Sequence, residues 1–444
     1  MPSAPGQPAK PPVFILGVPR SGTTLLRTLL DSHSQIACGP ETPWLGGHQP
    51  RSVMRLWQAL RDEPWGYCTS YGMDRAVVDA AAGKFVAHLM QEYARSKGKA
   101  RWAEKTPDNA LYVDFLLTLF PDARCIHLMR DGLDVAVSTS VVEEHRKGIS
   151  SFLERFLGLG PGVPPVENNP FNALLKWSHW DRLIERSLRG REHLDVNYER
   201  LVADPEGTLR EVLAFIGEPF EPAMLDYAGF RHEYPPWEWG SADVQARGQI
   251  TAERVGRGRR ALGAVQRQLL EPLAGVGGAV PILSAEAAFN QQEADSEVFR
   301  LMTAYLNGLS RPLGLGVLEG EEAWEAAWLW IHGLSRVSWI GKRVVHSGGA
   351  PVLGWIAAML GADVTFVATE GHAAARAKLA ADMHLDVQWR EIADLGPQAD
   401  VVIWTGSDCA AAERATASHG AATLIAAASG PAGARRTMIR SPQS

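Results

Sequence analysis

Between the apolar run Val13-Phe-Ile-Leu16 and the helix-forming run that opens at Leu25, the chain turns within residues 17–24, and two of these are glycines five positions apart. A buried strand, a glycine turn and a helix in that order commit the stretch to an α/β layer. The spacing Gly17-x-x-x-x-Gly22-Thr23-Thr24 is that of a phosphate-binding loop. Such loops work because glycines let successive N–H groups point inward, while the positive end of the next helix favours an anion. Thr23 stands where an ATPase carries the lysine that reaches a terminal phosphate. The loop can hold a 5′-phosphate through Gly22, Thr23 and Thr24, with Arg20 adding charge, but it lacks the grip on a triphosphate.

The same alternation continues along the chain. Residues 35–38 read as a short strand running into the turn Gly39-Pro-Glu-Thr-Pro43. Residues 50–100 carry helical periodicity among Trp and Tyr residues and read as a lid or an acceptor-side insert. A strand over 101–105, a helix over 110–120 capped by Asp108 and Asn109, a strand over 123–129 and a helix from Leu133 follow. A loop over 158–165, an amphipathic helix over 173–188 with Trp177 and Trp180 in the core, and a strand over 194–198 come next. This order predicts an α/β fold, a P-loop-type parallel sheet flanked by helices on both faces. Ligands of such sheets sit at the carboxyl ends of the strands, where the loop, Lys105 and Arg130 all fall.

Composition narrows the partners. With a net charge of −6, the chain is neither a general nucleic-acid binder nor an anionic-membrane binder, so any affinity for phosphate must be local. Cys38, Cys68, Cys125 and Cys409 are scattered without the spacing of a zinc site or a disulfide framework. Residues 1–12 are proline-rich, with no apolar segment before the first strand, so neither a signal peptide nor a membrane anchor is expected. A cytoplasmic protein fits both readings.

Pro19-Arg20-Ser21-Gly22-Thr23-Thr24-Leu25-Leu26 resembles the 5′-phosphosulfate loop of sulfotransferases that use 3′-phosphoadenosine 5′-phosphosulfate (PAPS). The likeness is to the branch that includes protein-tyrosine sulfotransferases and related bacterial enzymes. It continues through Asp31 to Thr42 and, in pieces, over about the first 280 residues. The resemblance implies roles. Glu41, in a Gly-x-Glu-Thr pattern, falls on the family's catalytic base, and Lys105 on the lysine that neutralises the oxygen bridging sulfur and phosphorus. Arg20 shares that work and, with Ser21, Gly22, Thr23 and Thr24, holds the 5′-phosphate. Arg130 and Ser138, in Arg-Asp-Gly-x-x-x-x-x-Ser, match the 3′-phosphate motif, with Asp131 as a cap or a partner for Arg130. Tyr198 and Arg257 would complete the nucleotide site, Arg257 within a basic run that also holds Arg247, Arg254, Arg259 and Arg260. His33, His127 and His145 are reserve bases, with His145 preferred because His127 lies in a strand. No metal is required. The implied acceptor is a hydroxyl-bearing small molecule, a peptide or a carrier-bound group, and self-association is left open.

Beyond a composition shift at about 272–290, Gly341 to Gly354 reads as strand, turn and helix, with further strands over 362–368, 399–404 and 421–428. Together with the preceding Ala327-Trp-Leu-Trp-Ile-His332 helix, this looks like the nucleotide-binding half of medium-chain dehydrogenases. The glycine fingerprint is altered to Gly348-Gly-Ala-Pro-Val-Leu353, and Ala368 replaces the acidic residue, with Glu370 two places late. The expected organisation is a tail over 1–12, a sulfotransferase domain over 13–280, a linker with helical character over 281–317, and a smaller Rossmann-like α/β domain over 318–440. Two rival activities remain, a P-loop small-molecule kinase and a bifunctional protein whose last domain binds NAD(P).

Overall fold

The structure is a computed structural model that describes residues 10–46, 51–144, 169–233, 249–275, 285–288, 290–311, 313–348, 350–367, 377, 380–381, 383, 385, 387–390, 399–405, 423–429 and 435–440. Two compact units emerge, Met1–Ser138 with Trp180–Arg257, and Thr139–His179 with Gly258–Ser444. The loop expected over 158–165, together with His145, Arg247, Gly349, Ala368, Glu370 and Cys409, lies outside the described residues.

The first unit is built on β1 (Val13–Leu16), β2 (Ile36–Cys38), β3 (Arg101–Glu104), β4 (Arg124–Met129) and β5 (His193–Asn197). They form one sheet in the order β2-β3-β1-β4-β5, every pair parallel. β1 is buried on both faces, as its unbroken apolar sequence requires. Val13 and Ile15 enter a core with Leu26, Leu29 and Leu30 from the helix Thr23–Asp31 and Leu209, Val212 and Leu213 from the helix Pro205–Ile216. Phe14 points to the other face and meets Trp102 and Phe120, each 5.8 Å away between ring centroids. Burying such a side chain contributes about 1.5–3 kcal/mol, so the central strand is pinned from both sides.

Local signals set several helix ends. Pro205 opens its helix, Asp204 accepts from Gly207 N at 3.0 Å, and Gly217 closes it at φ 73°. The helix expected over 110–120 instead begins with a 3₁₀ turn, Pro107–Leu111, and continues as Val113–Leu119. Asn109, expected to cap it, gives its side-chain amide to Glu104. A buried carboxylate needs donors, and that demand outweighs capping. Helices Val53–Asp62, Tyr67–Tyr71 and Arg75–Ser96 occupy the 50–100 region. Trp57 Nε1 donates to Asp79 at 2.7 Å and Arg61 pairs with the same carboxylate at 3.2 Å, tying the first of these helices to the third.

The second unit holds a seven-stranded sheet ordered β6-β12-β11-β10-β7-β8-β9. Its strands are β6 (Ala285–Ala288), β7 (Arg343–Gly348), β8 (Asp363–Val367), β9 (Val387–Arg390), β10 (Val401–Thr405), β11 (Thr423–Ser429) and β12 (Arg435–Arg440). The five from β7 to β11 are parallel, while at one edge β12 pairs antiparallel with β11 and β6 pairs antiparallel with β12. The sequence reading missed β6, β9 and β12. Ala-Glu-Ala-Ala and Arg-Arg-Thr-Met-Ile-Arg carry little β-propensity, and these strands are made by their neighbours rather than by their composition. β6 and the helix Glu297–Ser310 fall within the stretch expected to be a linker.

Candidate active site

Because every strand of the first sheet is parallel, all five carboxyl ends open on one edge, and each strand delivers a candidate residue there. β1 leads into the glycine loop, β2 into Glu41, β3 into Lys105, β4 into Arg130, and β5 into Tyr198, which opens the following helix rather than closing the strand.

The loop is held by close approaches. A Cβ on Gly17 would lie 2.8 Å from Leu128 O and from Thr23 Cγ2. Gly22 adopts φ 98°, and a Cβ there would meet the Tyr198 ring at 2.3 Å. Arg20 takes φ 75°, the one positive value at a non-glycine position among the described residues. Such conformations cost about 1–3 kcal/mol and gather where function demands a particular geometry. Gly22 is the N-cap of Thr23–Asp31 and offers no side chain, so the first N–H groups of the helix are open to an anion. Ser21 Oγ is buried without a hydrogen-bond partner. The turn is thus shaped for a group that brings acceptors.

Two arginines converge beside it. Arg20 Nε donates to Ser138 Oγ at 3.2 Å, and Arg130 Nη1 donates to Arg20 O at 3.0 Å. Arg130 also donates through Nη2 to Arg254 O at 2.9 Å, and its guanidinium lies 4.2 Å over the Tyr198 ring. Its Nε is buried with no partner. Asp134 lies 3.6 Å from Arg130 and accepts from Gly256 N at 2.8 Å, so the late basic segment is docked through its main chain. Asp131 caps the helix Gly132–Glu144, accepting from Asp134 N at 3.1 Å. Arg257 is exposed at the start of the short helix Arg257–Ala261. An orphaned hydroxyl, an orphaned guanidinium N–H, a bare helix N-terminus and two adjacent cations together fit a ligand with two phosphates.

Glu41 and Lys105 meet. Lys105 Nζ donates to Glu41 Oε1 at 2.5 Å, with the lysine side chain fully buried and the carboxylate side chain 27% exposed. Beneath them lies Glu104, which the sequence reading did not single out. Its Oε1 accepts from Thr42 Oγ1 at 2.8 Å and from Thr106 Oγ1 at 2.5 Å. The available signal was a carboxylate closing an otherwise buried strand. Two reserve bases are already occupied. His33 uses Nε2 on Pro219 O at 2.9 Å and accepts from Gln35 N at Nδ1. His127 is buried against Asp181 at 3.1 Å. Among the described residues no cluster of His, Cys, Asp and Glu has the makings of a metal site.

Residues 11–222 match a sequence model described as the sulfotransferase family. Over those residues the chain is similar to that family. An uncharacterised protein of Aquifex aeolicus is 32% identical to this sulfotransferase segment over 232 residues, covering 50% of the chain and 27% of the relative. A protein-tyrosine sulfotransferase of Drosophila melanogaster is 27% identical over 225 residues, covering 50% and 40%. The chain thus spans less than half the length of either relative. Among solved structures, a sulfotransferase domain from the curacin biosynthetic pathway aligns over 58% of this chain and 93% of its own, at 20% identity and a TM-score of 0.39. No helix of the described sulfotransferase segment, or of the second unit, is long and apolar enough to cross a membrane.

Proposed function

We propose that the chain moves a sulfuryl group from PAPS to a hydroxyl acceptor, with Glu41 as the general base. The observation that carries this reading is the Lys105–Glu41 contact at the edge where the phosphate loop also opens, since it joins a proton acceptor and a cation at one point. PAPS, when bound, supplies an electrophilic sulfur and an adenosine bisphosphate leaving group. Glu41 takes the acceptor's proton as the new S–O bond forms, and Lys105 holds its ammonium at the oxygen on which charge grows. Arg20, Ser21, Gly22, Thr23 and Thr24 hold the 5′-phosphate end. Arg130 and Ser138 hold the 3′-phosphate, with Tyr198 beneath Arg130 and Arg257 at the rim. The acceptor is a small molecule, a peptide or a carrier-bound hydroxyl. Cys38, Cys68 and Cys125 are free and buried, which supports placing the protein in the cytoplasm.

The second unit supports a Rossmann-like reading, because its parallel strands run 3-2-1-4-5 in their own order, the arrangement of dinucleotide-binding sheets. Its turn departs from that class. Pro351 removes an N–H from the first turn of the helix Pro351–Met359, and Ala350 adds a Cβ where a pyrophosphate would approach.

A thermal-shift comparison of adenosine 3′,5′-bisphosphate, ATP with magnesium, and NAD(H) tests all three activities. Stabilisation by the bisphosphate alone is expected; stabilisation by ATP and not by the bisphosphate overturns the assignment. Glu41→Gln should keep bisphosphate binding and lose sulfuryl transfer.

A further inference from the structure

Glu104 is the last residue of β3, 2% exposed, and three side chains donate to its carboxylate. Thr42 Oγ1 and Thr106 Oγ1 share Oε1, and the Asn109 amide donates to Oε2. Thr106 Oγ1 passes the tie onward, accepting from Thr42 N at 2.7 Å. Thr42 follows Glu41, and Thr106 follows Lys105, so two separate segments, one after β2 and one after β3, are fastened through a single carboxylate. Burial pushes the Glu104 carboxyl up, and the two threonine hydroxyls pull it back. Burial is the larger effect, and the three donors offset part of its cost.

We propose that Glu104 is a positioning residue: by clamping Thr42 and Thr106 it sets where the Glu41 carboxylate meets the Lys105 ammonium. The idea rests on the sulfuryl-transfer reading for its purpose but makes a separate structural claim. Main-chain freedom at Glu41 is what the clamp removes. Pro40 and Pro43 stiffen the segment, and Thr42 ties it to Glu104 and Thr106 through its hydroxyl and its main-chain N–H. A misplacement of about 1 Å at such a pair costs on the order of a hundredfold in rate.

The test uses the full chain and reads Lys105 directly. Amines are labelled with an amidating reagent and Lys105 is followed by peptide mass, with adenosine 3′,5′-bisphosphate binding measured in parallel. In the wild type Lys105 is protected, its side chain being fully buried. Glu104→Ala and Thr42→Val should each raise its labelling at least tenfold while bisphosphate affinity stays within threefold. Glu104→Gln should restore protection. It keeps an oxygen for both hydroxyls, and Asn109, whose Oδ1 is buried without a partner, can turn its amide to accept from the new NH₂. Should Glu104→Ala fail to fold, Thr42→Val carries the test. Unchanged Lys105 labelling in a folded Thr42→Val protein overturns the clamp, as does a Glu104→Gln protein that labels like the alanine variant. Failure of the wild type to bind the bisphosphate overturns the sulfuryl-transfer reading instead and leaves the labelling result to stand or fall by itself.

Discussion

Gly22→Ala is the sharpest probe of the loop, because two penalties of different origin act at one Cβ. Gly22 sits at φ 98°, where an L-residue pays about 1–2 kcal/mol. The new methyl would also lie 2.3 Å from Tyr198 Cδ2 and 2.8 Å from Cε2, and relieving such overpacking costs a further ~1–3 kcal/mol. The expected loss is thus about 2–5 kcal/mol, concentrated where the loop meets its helix. Native-state hydrogen exchange, read on peptides covering β1 and Thr23–Asp31, measures it locally and avoids assuming that both units unfold together. A double-mutant cycle with Tyr198→Ala separates the two causes. In that background the clash disappears and only the backbone term of about 1–2 kcal/mol should remain. Equal costs in both backgrounds would refute the contact, and a Gly22→Ala cost under about 0.5 kcal/mol would refute the loop geometry itself.

Other outcomes follow from the same site and from His127 and His346, both buried. Lys105→Met should lower sulfuryl transfer by about 10²–10³ with bisphosphate affinity little changed, as for loss of a single charge-stabilising donor; a loss under threefold refutes its role. For His127, burial opposes protonation, but Asp181, Asp195 and Glu185 outweigh it and raise its pKa. Its contribution is therefore full below the unfolded value near 6.5 and is lost as pH rises through the higher folded value. Exchange-based stability around β4 should fall on going from pH 6 to pH 9, and His127→Gln should flatten that slope. His346 behaves oppositely. Burial lowers it from 6.5 to about 4, so the second unit should lose roughly 3 kcal/mol as pH drops from 6.5 to 4, less so in a His346→Gln variant. Acid-resistant exchange at β7 in the wild type would contradict this.

Much of the first unit could be read before any coordinates. Val13–Leu16 is a strand because four apolar residues end at a glycine, and the loop is a loop because Gly17 and Gly22 permit approaches that a Cβ forbids. Strand ends at Glu104, Met129 and Asn197 placed Lys105, Arg130 and Tyr198 within a residue of where they were expected. The second unit was less legible. Its outer strands are polar or alanine-rich, and only pairing with a neighbour makes them strands.

What the residue order determined is local: where each strand stops, which turn needs glycine, and which charged side chains follow the stops. Those depend on sterics and hydrogen bonding within a few residues. The pairings were decided only by the tertiary structure. That Arg20 reaches Ser138, that Arg130 reaches the Arg20 and Arg254 carbonyls, and that Glu104 binds Thr42 depend on strand order and on the donors a buried polar group can find. Burial forces such groups to take whatever partner the fold brings near, and the separation of those partners along the chain carries no trace of the choice.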